Sequence, residues 1–308
     1  MISYLESLLI FTALAIILAS SLNLVLGYGG MFSVAHAVFY GVGAYTASLL
    51  ALHLSNSLVL SILCAIITGG LAGLLLAVPA LRVKEEYFVV ASLGFQIIAS
   101  TVFNQWDAVT GGIGGLTGIP PASLFGYEID SYGAHLVVTS LLAAAVLAIV
   151  AALMRSSFGR ALRALRDDEQ ALSSLGRNPT HLRLVTVALS AMIASVAGVL
   201  YAYFTSFVNP ESFTLDESVM MMVMVIIGGA GTVWGPPLGA AFVTIFPALL
   251  SFLKLPSSLL GPVQRLTYGV IMTLLMIYEP AGIVGLLRWV RRRQIILNGI
   301  NGSNRAAA

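Results

Sequence analysis

The feature that most constrains this chain is a succession of apolar runs, each near the length a helix needs to cross a bilayer. About 20 mostly apolar residues suffice for such a helix. Nine runs are read, at residues 7–26, 31–52, 57–81, 87–104, 134–154, 184–206, 217–233, 236–253 and 266–280. They are continuous rather than alternating, which excludes a β-barrel. Only 9% of residues are Asp, Glu, Lys or Arg, and mean hydropathy is +0.97. An average soluble domain carries about 25% charged residues. A soluble enzyme, a nucleic-acid binder and a disordered chain are thereby excluded. The expected fold is all-α, a polytopic transmembrane helix bundle of about 8–10 spans with Gly-rich broken or re-entrant segments. Residues 1–293 form one transmembrane domain, and the small, polar stretch 294–308 reads as a disordered tail.

The first run is not a cleavable signal peptide, because no Lys or Arg precedes Arg82. Lys and Arg concentrate in cytoplasmic loops. If the polar segment 155–183 is cytoplasmic and every span switches sides, the cytoplasmic face holds Arg82, Lys84, six arginines from Arg155 to Arg183, and Arg288, Arg291, Arg292, Arg293 and Arg305. Only Lys254 and Arg265 remain on the other face. This split places the C-terminus in the cytoplasm and, with nine spans, the N-terminus outside. The outer loops differ in character. One carries Glu211, Asp216 and Glu217, and the other, 105–133, is rich in Gly, Thr and Pro. A loop that long is usually functional or disordered, and a docking or gating surface is expected there.

Lipid gives helices no hydrophobic reason to associate, so small residues must let backbones approach. Ala65, Gly69, Gly73 and Ala77 form one ridge at i, i+4 spacing. Ser190, Ala194, Gly198 and Ala202 form a second, and Gly43, Ala47 and Ala51 a shorter third. These predict a compact bundle.

Two Gly-rich stretches, 27–45 and 228–241, interrupt or abut spans, one in each half of the chain. Irregular backbone at membrane depth must be enclosed by protein or line a cavity, and paired interruptions in two halves can mark a transport pathway. For the second stretch a tight turn before Pro236 and Pro237 fits equally well. His36 is the one histidine well inside an apolar span, serving as an interhelical hydrogen-bonding group or as a functional group. Asn23, Ser33, Tyr40, Gln96, Asn104, Gly228 and Gly229 join it as candidate pathway residues. No span centre carries Asp, Glu, Lys or Arg, which argues against proton coupling.

The segment 155–183 predicts a helix over about 159–175, ended by Gly176 and Pro179. Leu162, Leu165, Leu172 and Leu175 share one face, opposite Arg160, Arg163, Arg166, Asp167 and Asp168. Arg163 and Asp167 are spaced to pair. Such a helix lies on anionic lipid or inserts into a groove of a soluble partner. The chain has no phosphate-binding G-x-x-x-x-G-K-[ST] loop, no H-E-x-x-H and no G-x-S-x-G. Its single cysteine, Cys64, permits neither an intrachain disulfide nor a cysteine metal site. No metal and no cofactor bound by this chain are expected.

Five blocks in order resemble the LivM-type permease subunits of the bacterial branched-chain amino acid ABC importer family. They are 27–45 (GYGG through His36 to GVGAY), 104–120 (NQWD, TGG, GIP), 158–176 (FGRALRALRDDEQA to Leu175 and Gly176), 228–236 (GGAGTVWGP) and 278–283 (YEPAGI). The resemblance spans roughly residues 8–290 and implies a non-enzymatic transport permease in the bacterial inner membrane. It implies a second, LivH-type permease, two ABC ATPases of LivG and LivF type that use ATP and Mg, and a periplasmic substrate-binding protein. The segment from Gly159 to Gly176 would be the ATPase-coupling helix, with Gly159, Arg160, Leu162, Arg163, Leu165, Arg166, Asp167, Asp168, Glu169, Leu172 and Gly176 as its coupling residues. Asp168 and Glu169, with Ala171 and Gly176, resemble part of the Glu-Ala-Ala…Gly signature of importer permeases. The implied substrates are branched-chain or related hydrophobic amino acids. Urea, amides or another small organic solute, and a self-sufficient ion-coupled carrier, are the alternatives.

Overall fold

The computed structural model describes residues 2–80, 85–124, 126–251, 257–278 and 282–285. Arg82, Lys84, Lys254, the arginines from Arg288 onward and the expected tail 294–308 lie outside the described residues.

Every expected span is met by a helix. In chain order these are α1 (Ile2–Asn23), α2 (His36–His53), α3 (Leu58–Ala80), α4 (Glu85–Gln105), the short α5 (Asp107–Thr110) and α6 (Tyr132–Arg155). Then follow α7 (Ser157–Asp167), α8 (Glu169–Ser174), α9 (Pro179–Thr205), α10 (Leu215–Gly228), α11 (Gly235–Ser251) and α12 (Ser257–Tyr278). Among the described residues, five stretches are long and apolar enough to cross a membrane: Ser3–Tyr28, Leu58–Val78, Tyr87–Gln105, Tyr132–Arg155 and Pro179–Thr205. α10 and α11 are shorter, while α2 and α12 carry more polar residues.

α1, α2 and α9 form the centre, and α3, α4 and α6 stand at the periphery. The small-residue ridges explain the centre. A Cβ at Gly43 would overlap the Ser195 carbonyl, and one at Gly198 would overlap that of Tyr40, so α2 and α9 meet backbone to backbone. α3 lies on the same helix, with Gly69 against Ser195 and Gly73 against Ala191. The Ser195 hydroxyl donates to the Ala65 carbonyl at 2.7 Å. The other face of α3 exposes Leu63, Ile67, Leu71 and Leu75 in a row at i, i+4 spacing. Large residues outward and small residues inward invert the soluble pattern and fit a helix bathed in lipid.

The region 105–133, expected to serve as a docking or gating surface, is folded. It contains α5, a 3₁₀ turn (Gly112–Gly114), β1 (Leu116–Thr117), β2 (Ala122–Leu124) and β3 (Tyr127–Ile129). β1 pairs antiparallel with β4 (Phe207–Val208), Leu116 opposite Val208, and β2 pairs with β3 in a hairpin. These strands add two small sheets to the expected all-α bundle. They are two or three residues long, too short for a period-2 pattern to show in sequence. Gly111, Gly112, Gly115 and Gly118 all take positive φ, which explains the glycine content of the region.

The expected single helix 159–175 is also corrected. It breaks at Asp168, whose backbone is extended (φ −159°, ψ 107°). The Asp168 carboxylate accepts hydrogen bonds from the N–H groups of Gln170 at 2.8 Å and Ala171 at 3.0 Å. Aspartate competes with the backbone in this way, so it ends α7 and caps α8.

Candidate functional site

Both Gly-rich stretches are irregular in the structure, and they meet. α1 loosens into a π-helix (Leu24–Tyr28), and Gly30 turns the chain with φ +72°. Residues 29–35 then run back without helical structure, so α2 begins at His36 rather than at residue 31. In the second half, α10 ends at Gly228, Gly229 takes φ +119°, and residues 229–234 turn into α11. Asn23 joins the two stretches. Its Nδ2 donates to the Thr232 carbonyl at 2.9 Å, and its Oδ1 accepts from the Gly231 N–H at 2.9 Å. Gly27 lies directly against Gly231, and a Cβ there would overlap the Gly231 nitrogen. Gly228 touches the Gly235 carbonyl, and Gly282 closes against Gly229.

The charged segment reaches this junction. Arg166 Nη1 on α7 donates to the Gly27 carbonyl at 2.7 Å, and Gly30 rests on the Arg166 side-chain stem. Arg163 does not pair with Asp167. Its Nη2 donates to the Met154 carbonyl at 2.8 Å and its Nε to that of Gly159 at 3.2 Å, pinning α7 to the end of α6. Gly159 is buried because Met154 leaves no room for a Cβ. Leu162, Leu165 and Leu172 are buried in this chain's own core, whereas Leu175 is 79% exposed. The expected four-leucine face is thus split: three members hold α7 and α8 onto the bundle and one projects. Arg160, Asp167, Asp168, Glu169 and Gly176 are exposed. Glu169 pairs with Arg183 of α9 at 2.9 Å. Between α7 and the start of α9, a cavity of about 250 Å³ is lined by Phe158, Ala161, Arg177 and His181.

The remaining candidates cluster where α2 begins. His36 Nε2 lies 2.7 Å from Ser21 Oγ, and that hydroxyl donates to the Leu18 carbonyl at 2.7 Å. The serine proton is therefore committed, and His36 donates from Nε2. His36 is thus buried and hydrogen-bonded between α1 and α2. Gln96 Nε2 donates to the Phe213 carbonyl at 2.9 Å, and its Oε1 accepts from Ser218 Oγ at 3.4 Å. Ser218 Oγ also accepts the Ala37 N–H at 2.9 Å, and Ser92 Oγ accepts the Val34 N–H at 3.1 Å. Ser33 Oγ accepts the Ala35 N–H at 3.4 Å. The first turn of α2 is thus capped inside the bundle by α4 and α10. Tyr40 packs on Tyr201 and Phe213, ring centroids 5.4 and 5.1 Å away. Asn104 stands apart, donating to the Ser100 carbonyl one turn back on its own helix at 2.8 Å.

Ser92, Ser218, Thr232 and the Gly27 carbonyl are hydrogen-bond partners at the candidate site that the sequence did not mark. A serine directly after Asp216 and Glu217 was the available signal for Ser218. The others are backbone contacts or contacts of common residue types and left no signal. Among the described residues no cluster of His, Cys, Asp or Glu could hold a metal ion.

Comparison with known proteins shows the family. Residues 4–278 match the family described as branched-chain amino acid transport system, permease component. The chain is 32% identical over 300 residues to the high-affinity branched-chain amino acid permease protein LivM of Salmonella typhimurium, covering 90% of this chain and 69% of that one. The Escherichia coli LivM is 31% identical over the same coverage. The LivH permease of Salmonella typhimurium is 24% identical, covering 87% of this chain and 90% of that one. No solved structure matches. A match over 275 consecutive positions, together with LivM relatives over nine-tenths of the chain, shows that this chain belongs to the permease-component family of branched-chain amino acid transport systems.

Proposed function

We propose that this chain is one of two permease halves of an ATP-driven importer for branched-chain or related hydrophobic amino acids. It forms a single permease domain over residues 1–293, in the bacterial inner membrane, with its N-terminus periplasmic and its C-terminus cytoplasmic. A LivH-type permease completes the pathway, a periplasmic binding protein delivers the substrate, and two ABC ATPases of LivG and LivF type supply the energy. Those ATPases use ATP and Mg; this chain binds no cofactor.

The observation that carries the reading is the bond from Arg166 to the Gly27 carbonyl. A segment built to meet a soluble motor must be stiffly joined to the part of the bundle that moves. Here α7 grips the irregular end of α1, and four residues earlier Asn23 holds the turn between α10 and α11. A push on α7 therefore reaches both Gly-rich stretches through two sets of hydrogen bonds and the four residues of α1's end between them. The ATPase-facing surface is the exposed side of α7 and α8 with the tip at Leu175, Gly176 and Arg177, not the buried leucines. The pathway assignment falls on the seat of α2, lined by Ser33, His36, Tyr40 and Gln96, with Asn23, Gly228 and Gly229 at its inner end and Asn104 toward its outer end.

Co-purification from the native operon tests this. Recovery of a second permease and two P-loop ATPases, with ATP-dependent leucine uptake in proteoliposomes, is expected. Recovery of the chain alone, carrying solute in liposomes without ATP, would overturn it in favour of an ion-coupled carrier. Uptake of urea or amides in place of leucine by the same assembly would correct the substrate class.

A further inference from the structure

One surface of the bundle is neither lipid-facing ridge nor coupling tip. Between α6 and the 229–234 turn lies a groove of about 750 Å³. Its floor is Ala144, Ala148 and Ala151, at i, i+4 and i+7 on α6. The small side chains leave that face of the helix low, with Leu147 and Met154 beside them in the lining. One wall is Trp234, 68% exposed although it is the largest side chain of its turn. At one end the groove closes on Tyr28, Arg155 and Arg163. Among the described residues neither arginine is paired with a carboxylate. Arg163 is aimed by two neutral carbonyls, which fix its plane without cancelling its charge.

We propose that this groove binds one anionic phospholipid, its phosphate on Arg155 and Arg163 and an acyl chain along the alanine floor. Charge and shape both select this occupant. Two uncompensated cations at the end of a long apolar trough match a headgroup joined to a hydrocarbon tail. Tyr and Trp beside them are the residues that settle at a membrane–water boundary. α6 is the least buried of the five long apolar helices, so this face is open to an acyl chain. The site also touches the coupling apparatus: Arg163 belongs to α7, and Gly231 and Thr232 line the groove while holding Asn23. A bound headgroup would brace both.

The test is native mass spectrometry of the assembled transporter released from nanodiscs that mix phosphatidylglycerol with phosphatidylcholine. Selective retention of one phosphatidylglycerol per copy of this chain is expected. Arg155→Gln with Arg163→Gln should weaken that retention roughly tenfold or more, since each basic side chain near the surface contributes to anionic-lipid attraction. Ala148→Trp keeps both charges and fills the trough, so it separates lipid loss from any disturbance of α7 and should also abolish retention. Equal retention of phosphatidylcholine, or unchanged retention in Ala148→Trp, would overturn the proposal. A photo-crosslinker at position 148 that captures the second permease rather than lipid would overturn it as well and assign the groove to the subunit interface.

Discussion

Leu172 and Leu175 are three residues apart on the charged segment, and the structure gives them opposite work. Leu172 is 3% exposed and packs into the core beside α9, where Glu169 and Arg183 add an ion pair. Leu175 is 79% exposed at the tip, directly before Gly176, whose φ of +75° ends the segment. Leu175→Ala removes three carbons that the bundle does not use. If an ATPase groove buries them, the loss is about 2 kcal/mol, or roughly 30-fold in Kd. Leu172→Ala leaves a cavity under α8 and costs about 2–3 kcal/mol of stability, the low end for a buried leucine because α8 is short and near the surface. The assay is a titration of purified ATPase subunits onto the solubilised permease pair, with a thermal melt of each variant. Leu175→Ala should weaken association and leave the melt unchanged, while Leu172→Ala should lower the melting temperature. ATPase binding by Leu175→Ala within twofold of the parent would refute the surface assigned here. So would a Leu172→Ala variant that melts normally yet loses its ATPases.

Arg166→Gln removes the guanidinium from the Gly27 carbonyl. With much of that side chain in solvent the loss is about 1 kcal/mol rather than the 1.5–3 of a fully buried charged bond. Uptake per ATP hydrolysed in proteoliposomes should fall while the ATPases stay bound; an unchanged ratio would remove Arg166 from coupling. Asn23→Ala strips partners from the Gly231 N–H and the Thr232 carbonyl, costing about 2–3 kcal/mol. Hydrogen exchange at residues 229–234 should quicken, and protection equal to the parent would show that the turn holds itself. Gly198→Ala drives a Cβ into the Tyr40 carbonyl and should cost about 1–3 kcal/mol. Gly94→Ala in α4 meets open space and should stabilise by up to about 1 kcal/mol, so the two melts must move in opposite directions.

Much of the bundle is legible in the sequence, because apolar length and small-residue spacing are local properties. The ridge Ala65–Gly69–Gly73–Ala77 faces α9 as its spacing dictates, and the leucines between them face outward. Charge order and the Gly-rich stretches likewise mark where the chain turns. What sequence could not display is partnership across the chain. Arg166 and Gly27 are separated by 139 positions, and the acceptor is a carbonyl that every residue type carries. The break at Asp168 escaped for a different reason. The leucine period runs smoothly through it, and only the choice of Asp168 to bond its own backbone divides one expected helix into two. With three of the leucines buried in the bundle, only Leu175 of that face stays exposed.

The two halves of the candidate site form one route of hydrogen bonds joined by short lengths of backbone, and its order matters. From Arg166 the contact enters at Gly27, within the π-helical turn that loosens the end of α1. Six residues back, Ser21 meets His36 at the start of α2, and its carbonyl accepts from Ser190 of α9 at 2.6 Å. Beyond His36, the first turn of α2 is held by Ser218 of α10 and, through it, Gln96 of α4. A helix that starts inside a bundle must have its free N–H groups satisfied by other helices. Any shift of α2 therefore has to be followed by α4 and α10 or leave buried donors bare. Contiguity of this kind does not by itself transmit a signal; it requires an element with two arrangements. The π-helical turn Leu24–Tyr28 is the segment to test for one, since π turns are rare and occur frequently at functional sites. Comparing hydrogen exchange at residues 24–29 with and without ATP-loaded partners decides the matter: protection that changes there and at 36–40 together places the moving element at the π-turn, and protection that changes at neither site removes it.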